Sequence, residues 1–150
     1  MTCVKYANVS RVHADKWLLI KVKSNPTRLD YRSARVDAAD RESRLIQVTY
    51  IEDNGASHTI DVREGQSLMD AATKHRIPGI DGDCGGACAC ATCHVYVAPE
   101  WFERLVPMKD LERKMLKFAS MPKENSRLAC QIIATPALNG LSVTIPISQY

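Results

Sequence analysis

The sequence predicts an α+β domain, and three features carry that reading. Residues 45–62 alternate apolar and polar positions on either side of Asp53-Asn54-Gly55, the pattern of a β-hairpin. Residues 68–75 then change period, with Leu68, Ala71, Ala72 and His75 at helical spacing. Two further β-rich runs follow at 94–98 and 141–147. A chain of 150 residues that is 45% hydrophobic has the size and the core material of one domain with a tail.

Residues 1–44 show no sustained periodicity and read as a poorly structured N-terminal extension, leaving 45–150 as the folded domain. The apolar run at 17–20 is far too short to span a bilayer, so no membrane insertion is expected. Asn25-Pro26 breaks any helix there. A mitochondrial transit peptide is an alternative for this segment, which bears Arg and Ser, but Asp30, Asp37, Asp40 and Glu42 weigh against it.

Residues 45–51 are β-branched and alternating, and Asn54-Gly55 is the strongest two-residue hairpin signal. Residues 57–62 return as the second strand. Ser67 stands where an N-cap hydroxyl is needed, with Asp70 three residues on as in a capping box. Pro78-Gly79 stops the helix. His94 to Ala98 reads as a third, central strand. Trp101 and Phe102 read as core-capping aromatics. Residues 108–119 read as a second helix, with Leu111, Met115, Leu116 and Phe118 as its apolar residues. Residues 128–134 carry Cys130, Asn139-Gly140 turns, and 141–147 forms the last strand.

The chemistry is concentrated in Asp81–His94, D-G-D-C-G-G-A-C-A-C-A-T-C-H, which holds four of the six cysteines. Cys84, Cys90, Cys93 and the distant Cys130 read as the four thiolate ligands of a [2Fe–2S] cluster, in which each iron takes two thiolates and two bridging sulfides. Structural zinc also takes four cysteines, but usually as two separated C-x2-C knuckles, and only Cys90 and Cys93 form one. A disulfide framework wants a short secreted chain with dispersed cysteines. A thioredoxin-like pair wants C-x-x-C opening a helix, and here a β-rich run follows. Cys88 reads as a small apolar filler or free thiol of the loop. Gly82, Gly85 and Gly86 allow backbone amides to approach an inorganic core closely. A Rieske-type role for His94 needs a second histidine at matching spacing, and none is present.

The first cysteine gap is five residues, one more than the plant-type pattern. With its flanks, G-D-C-G-G-x-x-x-C-A-T-C-H-V-Y-V at 82–97 and N-S-R-L-x-C-Q-I-I at 125–133, the stretch from Leu45 to Tyr150 resembles the adrenodoxin- and putidaredoxin-type [2Fe–2S] ferredoxins. The resemblance implies a β-grasp (ubiquitin-like) ferredoxin fold. It also implies a structural role for His94, and a surface iron held by Cys84 and Cys90 with an inner one held by Cys93 and Cys130. It implies a one-electron carrier, with no catalytic residue of its own, between a flavin-dependent ferredoxin reductase and a cytochrome P-450-type monooxygenase or other oxygenase. A ferredoxin serving iron–sulfur assembly is the alternative within the class, and a structural four-cysteine zinc module the alternative outside it.

Residues 1–44 carry ten Lys/Arg against five Asp/Glu, and residues 45–150 carry ten against twelve. With a four-thiolate cluster added, the domain is acidic, which points to a basic docking partner and away from nucleic acid. Asp81 and Asp83 beside the loop, Asp110 and Glu112 on the second helix, and the terminal aromatic Tyr150 are the candidate docking residues, the latter three by resemblance. Lys114 and Lys117 stand where the vertebrate form is acidic. Reduced thiolates point to a reducing compartment. A monomer in the bacterial cytoplasm is expected, with the mitochondrial matrix as the alternative.

Overall fold

A computed structural model describes residues 44–150. The expected extension lies outside the described residues, Arg44 apart. Strands β1 (Leu45–Ile51) and β2 (Ser57–Arg63) pair antiparallel, with Val48 opposite Ile60 and Ile51 opposite Ser57. The turn between them is longer than the expected two-residue Asn-Gly turn. The Gly55 amide donates to Glu52 O (2.9 Å), the Glu52 amide to Ala56 O (2.8 Å), and Gly55 takes φ 87°. That closes a three-residue loop in which glycine occupies the left-handed position. Asn54 acts through its side chain, its Oδ1 accepting from the Ala56 amide at 2.7 Å.

Along β1 the alternation places Ile46, Val48 and Tyr50 in the core. The buried Tyr50 hydroxyl donates to Leu68 O at 2.8 Å, pinning the start of helix α1 (Leu68–Lys74) to the sheet. Burial pushes the Tyr50 phenol pKa up, so the group stays a neutral donor. Ser67 caps α1 as expected, its Oγ accepting from the Asp70 amide at 3.0 Å, and His75 is an exposed helix end. Leu68, Met69, Ala71 and Ala72 turn inward.

Strand β3 (His94–Val97) is buried along its whole length. Helix α2 (Pro99–Phe102) follows, and Trp101 and Phe102 pack partly buried against the core. Helix α3 (Asp110–Leu116) is shorter than the expected 108–119. Strand β4 (Ser126–Leu128) and strand β5 (Leu141–Thr144) complete a five-stranded mixed sheet in the order β2-β1-β5-β3-β4. The middle place therefore belongs to β5, parallel to β1 and antiparallel to β3, and not to β3 as expected. β4 was not expected because its three residues show no period of their own. Val48, Val62, Leu68, Val95, Leu128 and Leu141 are fully buried, at about 1.5–3 kcal/mol each.

On α3 the side chains divide differently from the expectation. Leu116 is buried and Met115 partly so, but Leu111 and Phe118 are 56% and 78% exposed. The inward position between them is taken by Glu112.

Candidate metal centre

Residues 81–93 form a loop between α1 and β3, and Thr92 closes it. Its carbonyl accepts from the amides of Asp81 (3.1 Å) and Gly82 (3.2 Å), and its hydroxyl accepts from the Asp83 amide (3.1 Å). Within the loop the chain turns through left-handed backbone at Gly82, Gly85 and Gly86. A Cβ on Gly82 would stand 2.9 Å from the Met69 sulfur, so any larger residue would have to displace that side chain as well as hold φ 65°. Cys88 and Ala91 also lie in the left-handed region, at φ 54° and 61°, at about 1–2 kcal/mol each.

This path sorts the cysteines into two pairs. Cys84 and Cys90 sit half-buried on the loop, with the Cys84 amide donating to Cys90 Sγ at 3.4 Å and Thr92 Oγ1 3.1 Å from the same sulfur. Cys93 immediately precedes β3, and Cys130 sits in a single 3-10 turn (Ala129–Gln131) after β4. Both are buried. The Ala129 amide donates to Cys93 O at 2.9 Å, which fixes these two segments to each other.

The electrostatics favour the thiolate at Cys84 and at Cys130. Burial opposes ionisation of Cys84, but the amides of Ala89, Gly86 and Cys90, with the Cys90 thiol, outweigh it and hold its pKa down. A hydrogen bond from Cys93 brings Cys130 down to about 6 against burial, aided by Gln131 Nε2 at 3.3 Å and the Cys88 amide. The same bond, with burial, pushes Cys93 up, so the proton of that pair rests on Cys93. Cys88 is raised by burial and by the neighbouring sulfurs, and stays a neutral thiol filling the loop.

These residues fit a binuclear cluster. Each iron of a [2Fe–2S] unit needs two thiolates; Cys84 and Cys90 on the loop would supply one pair, and Cys93 and Cys130, at the ends of β3 and β4, the other.

His94 is fully buried. Its Nε2 stands 2.7 Å from Ser126 Oγ, and its pKa is depressed to about 4 by burial, with Lys123 adding to the effect and the Ser120 backbone opposing it. It is a neutral structural residue that ties the end of the loop to β4. Gln149, which shows no sequence signal, completes the tie. Its Oε1 accepts from the His94 amide (3.2 Å), and its Nε2 donates to Gly79 O (2.6 Å) and His94 O (3.0 Å).

Of the candidate docking residues, Asp81 and Asp83 are exposed beside the loop. Tyr150 is exposed next to them, its hydroxyl donating to Asp83 Oδ2 at 2.9 Å. Asp110 is exposed on the first turn of α3. Glu112 corrects the expectation: it is 1% exposed and forms a forked pair with the buried Arg127, Nε to Oε1 at 2.7 Å and Nη2 to Oε2 at 3.0 Å. Its Oε1 also accepts from the Leu128 amide at 3.0 Å. A carboxylate so enclosed has no surface to offer a partner. Sequence alone gave it an outward place because its partner lies fifteen residues away on another element.

Residues 51–135 match the family model described as a 2Fe-2S iron-sulfur cluster binding domain. The chain is 43% identical to ferredoxin CarAc of Sphingomonas sp over 104 residues, covering 69% of this chain and 95% of that protein. It is 43% identical to putidaredoxin of Pseudomonas putida over 107 residues, covering 71% of this chain and all of that protein. Among solved structures it is similar to a reduced cysteine-to-serine variant of putidaredoxin, with a TM-score of 0.68 at 43% identity over 69% of this chain and 99% of that one. Putidaredoxin in a covalent complex with putidaredoxin reductase gives a TM-score of 0.64 at 44% identity, covering 67% and 97%. The two cysteine pairs, the mixed sheet and these likenesses agree: the chain belongs to the adrenodoxin- and putidaredoxin-type [2Fe–2S] ferredoxins, electron-transfer proteins of β-grasp fold that carry one such cluster.

Proposed function

We propose that this ferredoxin takes one electron from a flavin-dependent ferredoxin reductase and delivers it to a cytochrome P-450-type monooxygenase. The observation that carries the reading is the asymmetry of the ligand set: one buried pair of cysteines next to the ends of β3 and β4 and one half-buried pair on a thin surface loop. The cluster, when bound, supplies one reversible electron. The chain does the rest. Cys84, Cys90, Cys93 and Cys130 hold the metal. The amides of Gly86, Ala89 and Cys90 point at the Cys84 sulfur and favour its charge. The sheet excludes water from the inner pair.

Asp81, Asp83 and Tyr150 surround the half-buried pair, and they form the docking face for a basic partner on this reading. The relative crystallised with its reductase supports the donor half of the pathway. The ferredoxin domain occupies 45–150, supported by the family match within it, with 1–44 as an extension. It works as a monomer in the bacterial cytoplasm. Bacterial relatives support the compartment, and no helix among the described residues is long and apolar enough to cross a membrane.

The test is reconstitution. Putidaredoxin reductase with its reduced nicotinamide should reduce the holoprotein, seen as bleaching of the visible bands and an S = 1/2 resonance. A P-450 from the same source should then turn over only when the ferredoxin is present. Reduction without P-450 turnover, together with support of cluster assembly on a scaffold protein, would replace this reading with the assembly role.

A further inference from the structure

The surface of α3 has the opposite sign to the surface of the cluster loop. Residues 77–94 contain no Lys or Arg, and they expose Asp81 and Asp83. On and flanking α3, Lys109, Arg113, Lys114 and Lys117 are all exposed, and none forms an ion pair among the described residues. The acids of this segment do not balance them. Glu112 is buried and spent on Arg127, which leaves Asp110 alone at the surface. Burial thus turns a helix that reads as mixed into one whose exposed face is strongly positive.

The cations are also ordered. Lys109, Arg113 and Lys117 follow at intervals of four and form a row along the helix. Leu111 and Phe118, 56% and 78% exposed, come three residues before and four after the remaining cation, Lys114, and flank it at helical spacing. At the N-terminal end the row meets a cleft of about 140 Å³ lined by Arg104, Val106, Lys109, Gln131 and Ile133, among others. Gln131 is the residue whose amide donates to Cys130 Sγ. A partner seated on the row and reaching into the cleft therefore ends one side chain away from a cluster ligand.

We propose that this face of α3 docks an acidic protein partner, one presenting carboxylates around an apolar side chain. The inference rests on the carrier reading above and adds a second, basic docking face to the acidic one at the loop. A row of cations with exposed apolar neighbours complements an acidic, partly apolar surface and steers its approach. A membrane surface is the poorer fit, because the helix spans only seven residues and its inner positions, Glu112 and Leu116, are committed to the fold.

The test uses dithionite-reduced holoprotein mixed by stopped flow with two haem proteins, acidic cytochrome b5 and basic cytochrome c. Lys109→Glu, Arg113→Glu, Lys114→Glu and Lys117→Glu together should slow cytochrome b5 reduction about tenfold at low ionic strength, a difference that salt erases. The same four positions changed to Gln should give an intermediate loss. An unchanged visible cluster spectrum shows that both variants are folded. Cytochrome c reduction should not slow in either variant, and should slow in Asp81→Asn with Asp83→Asn. Cytochrome b5 reduction indifferent to all four reversals would overturn the proposal while leaving the carrier intact, provided cytochrome c is still reduced. Wild type that reduces neither haem protein would overturn the carrier reading itself. Salt-sensitive sedimentation of the wild type, but not the Glu variant, with phosphatidylserine vesicles would assign the face to lipid instead.

Discussion

The two cysteine pairs are held by different physics. Cys93 and Cys130 belong to the framework: one precedes a fully buried strand, the other sits in a 3-10 turn, and the Ala129 amide joins them. Cys84 and Cys90 belong to a loop whose shape comes from left-handed backbone and from Thr92. One side is set among buried neighbours, the other in a loop held by its own hydrogen bonds. The comparison teaches that this molecule separates holding the cluster from presenting it.

The strongest test of that division replaces each ligand by Ala. All four variants should lose the visible bands and the iron, by absorption and metal analysis. The apoproteins should then differ: Cys93→Ala and Cys130→Ala leave holes at buried sites and should unfold about 2 kcal/mol more easily than Cys84→Ala and Cys90→Ala in urea. Equal stabilities would erase the distinction between framework and loop.

The next largest effect lies behind the framework pair. Glu112→Ala strands the buried Arg127 and frees the Leu128 amide, and should cost about 3–5 kcal/mol in denaturant unfolding. A cost below ~1 kcal/mol would place Glu112 at the surface after all. Gln149→Leu removes three hydrogen bonds around His94 and Gly79, leaving the His94 amide only its bond to Ala91 O (3.2 Å). It should cost about 1–3 kcal/mol and raise amide exchange at 94 ahead of the rest of the sheet.

The smallest effect belongs to the loop side. Asp83 raises the Tyr150 phenol pKa, first by accepting its proton in a hydrogen bond and then by its charge. A raised phenol keeps its bond below the ordinary value near 10 and loses it as pH climbs through the higher folded value. Asp83→Asn should return the Tyr150 titration toward the ordinary value in an ultraviolet pH series, with the melting temperature at neutral pH barely moved. A titration that does not shift would mean that the contact is not kept in solution.

Most of what is local was legible. The hairpin, the Ser67 cap, α1 and β3 follow from period and propensity within a few residues, and four of the cysteines lie within ten residues of each other. What was not legible is what depends on distant partners. The middle place of β5 comes from pairing Val48 with Leu141 and Val97 with Val143. The burial of Glu112 depends on Arg127, and the role of Gln149 on His94 and Gly79. In the site, spacing singles out the four candidate ligands, whereas Thr92 and Gln131, which contact the Cys90 and Cys130 sulfurs, look like ordinary polar residues until the loop is closed. Leu111 and Phe118 misled because helical period says where apolar residues could be buried, not that they are.

The place of β5 also has a consequence for the order of assembly. The hairpin of β1 with β2 and the pair of β3 with β4 share no ladder, and β5 alone joins them. During synthesis both halves emerge before the strand that unites them. A nascent chain therefore carries Cys84, Cys90, Cys93 and Cys130 through a period when no finished sheet shields them. Burial of Cys93 and Cys130 against a complete sheet waits for residues 141–144.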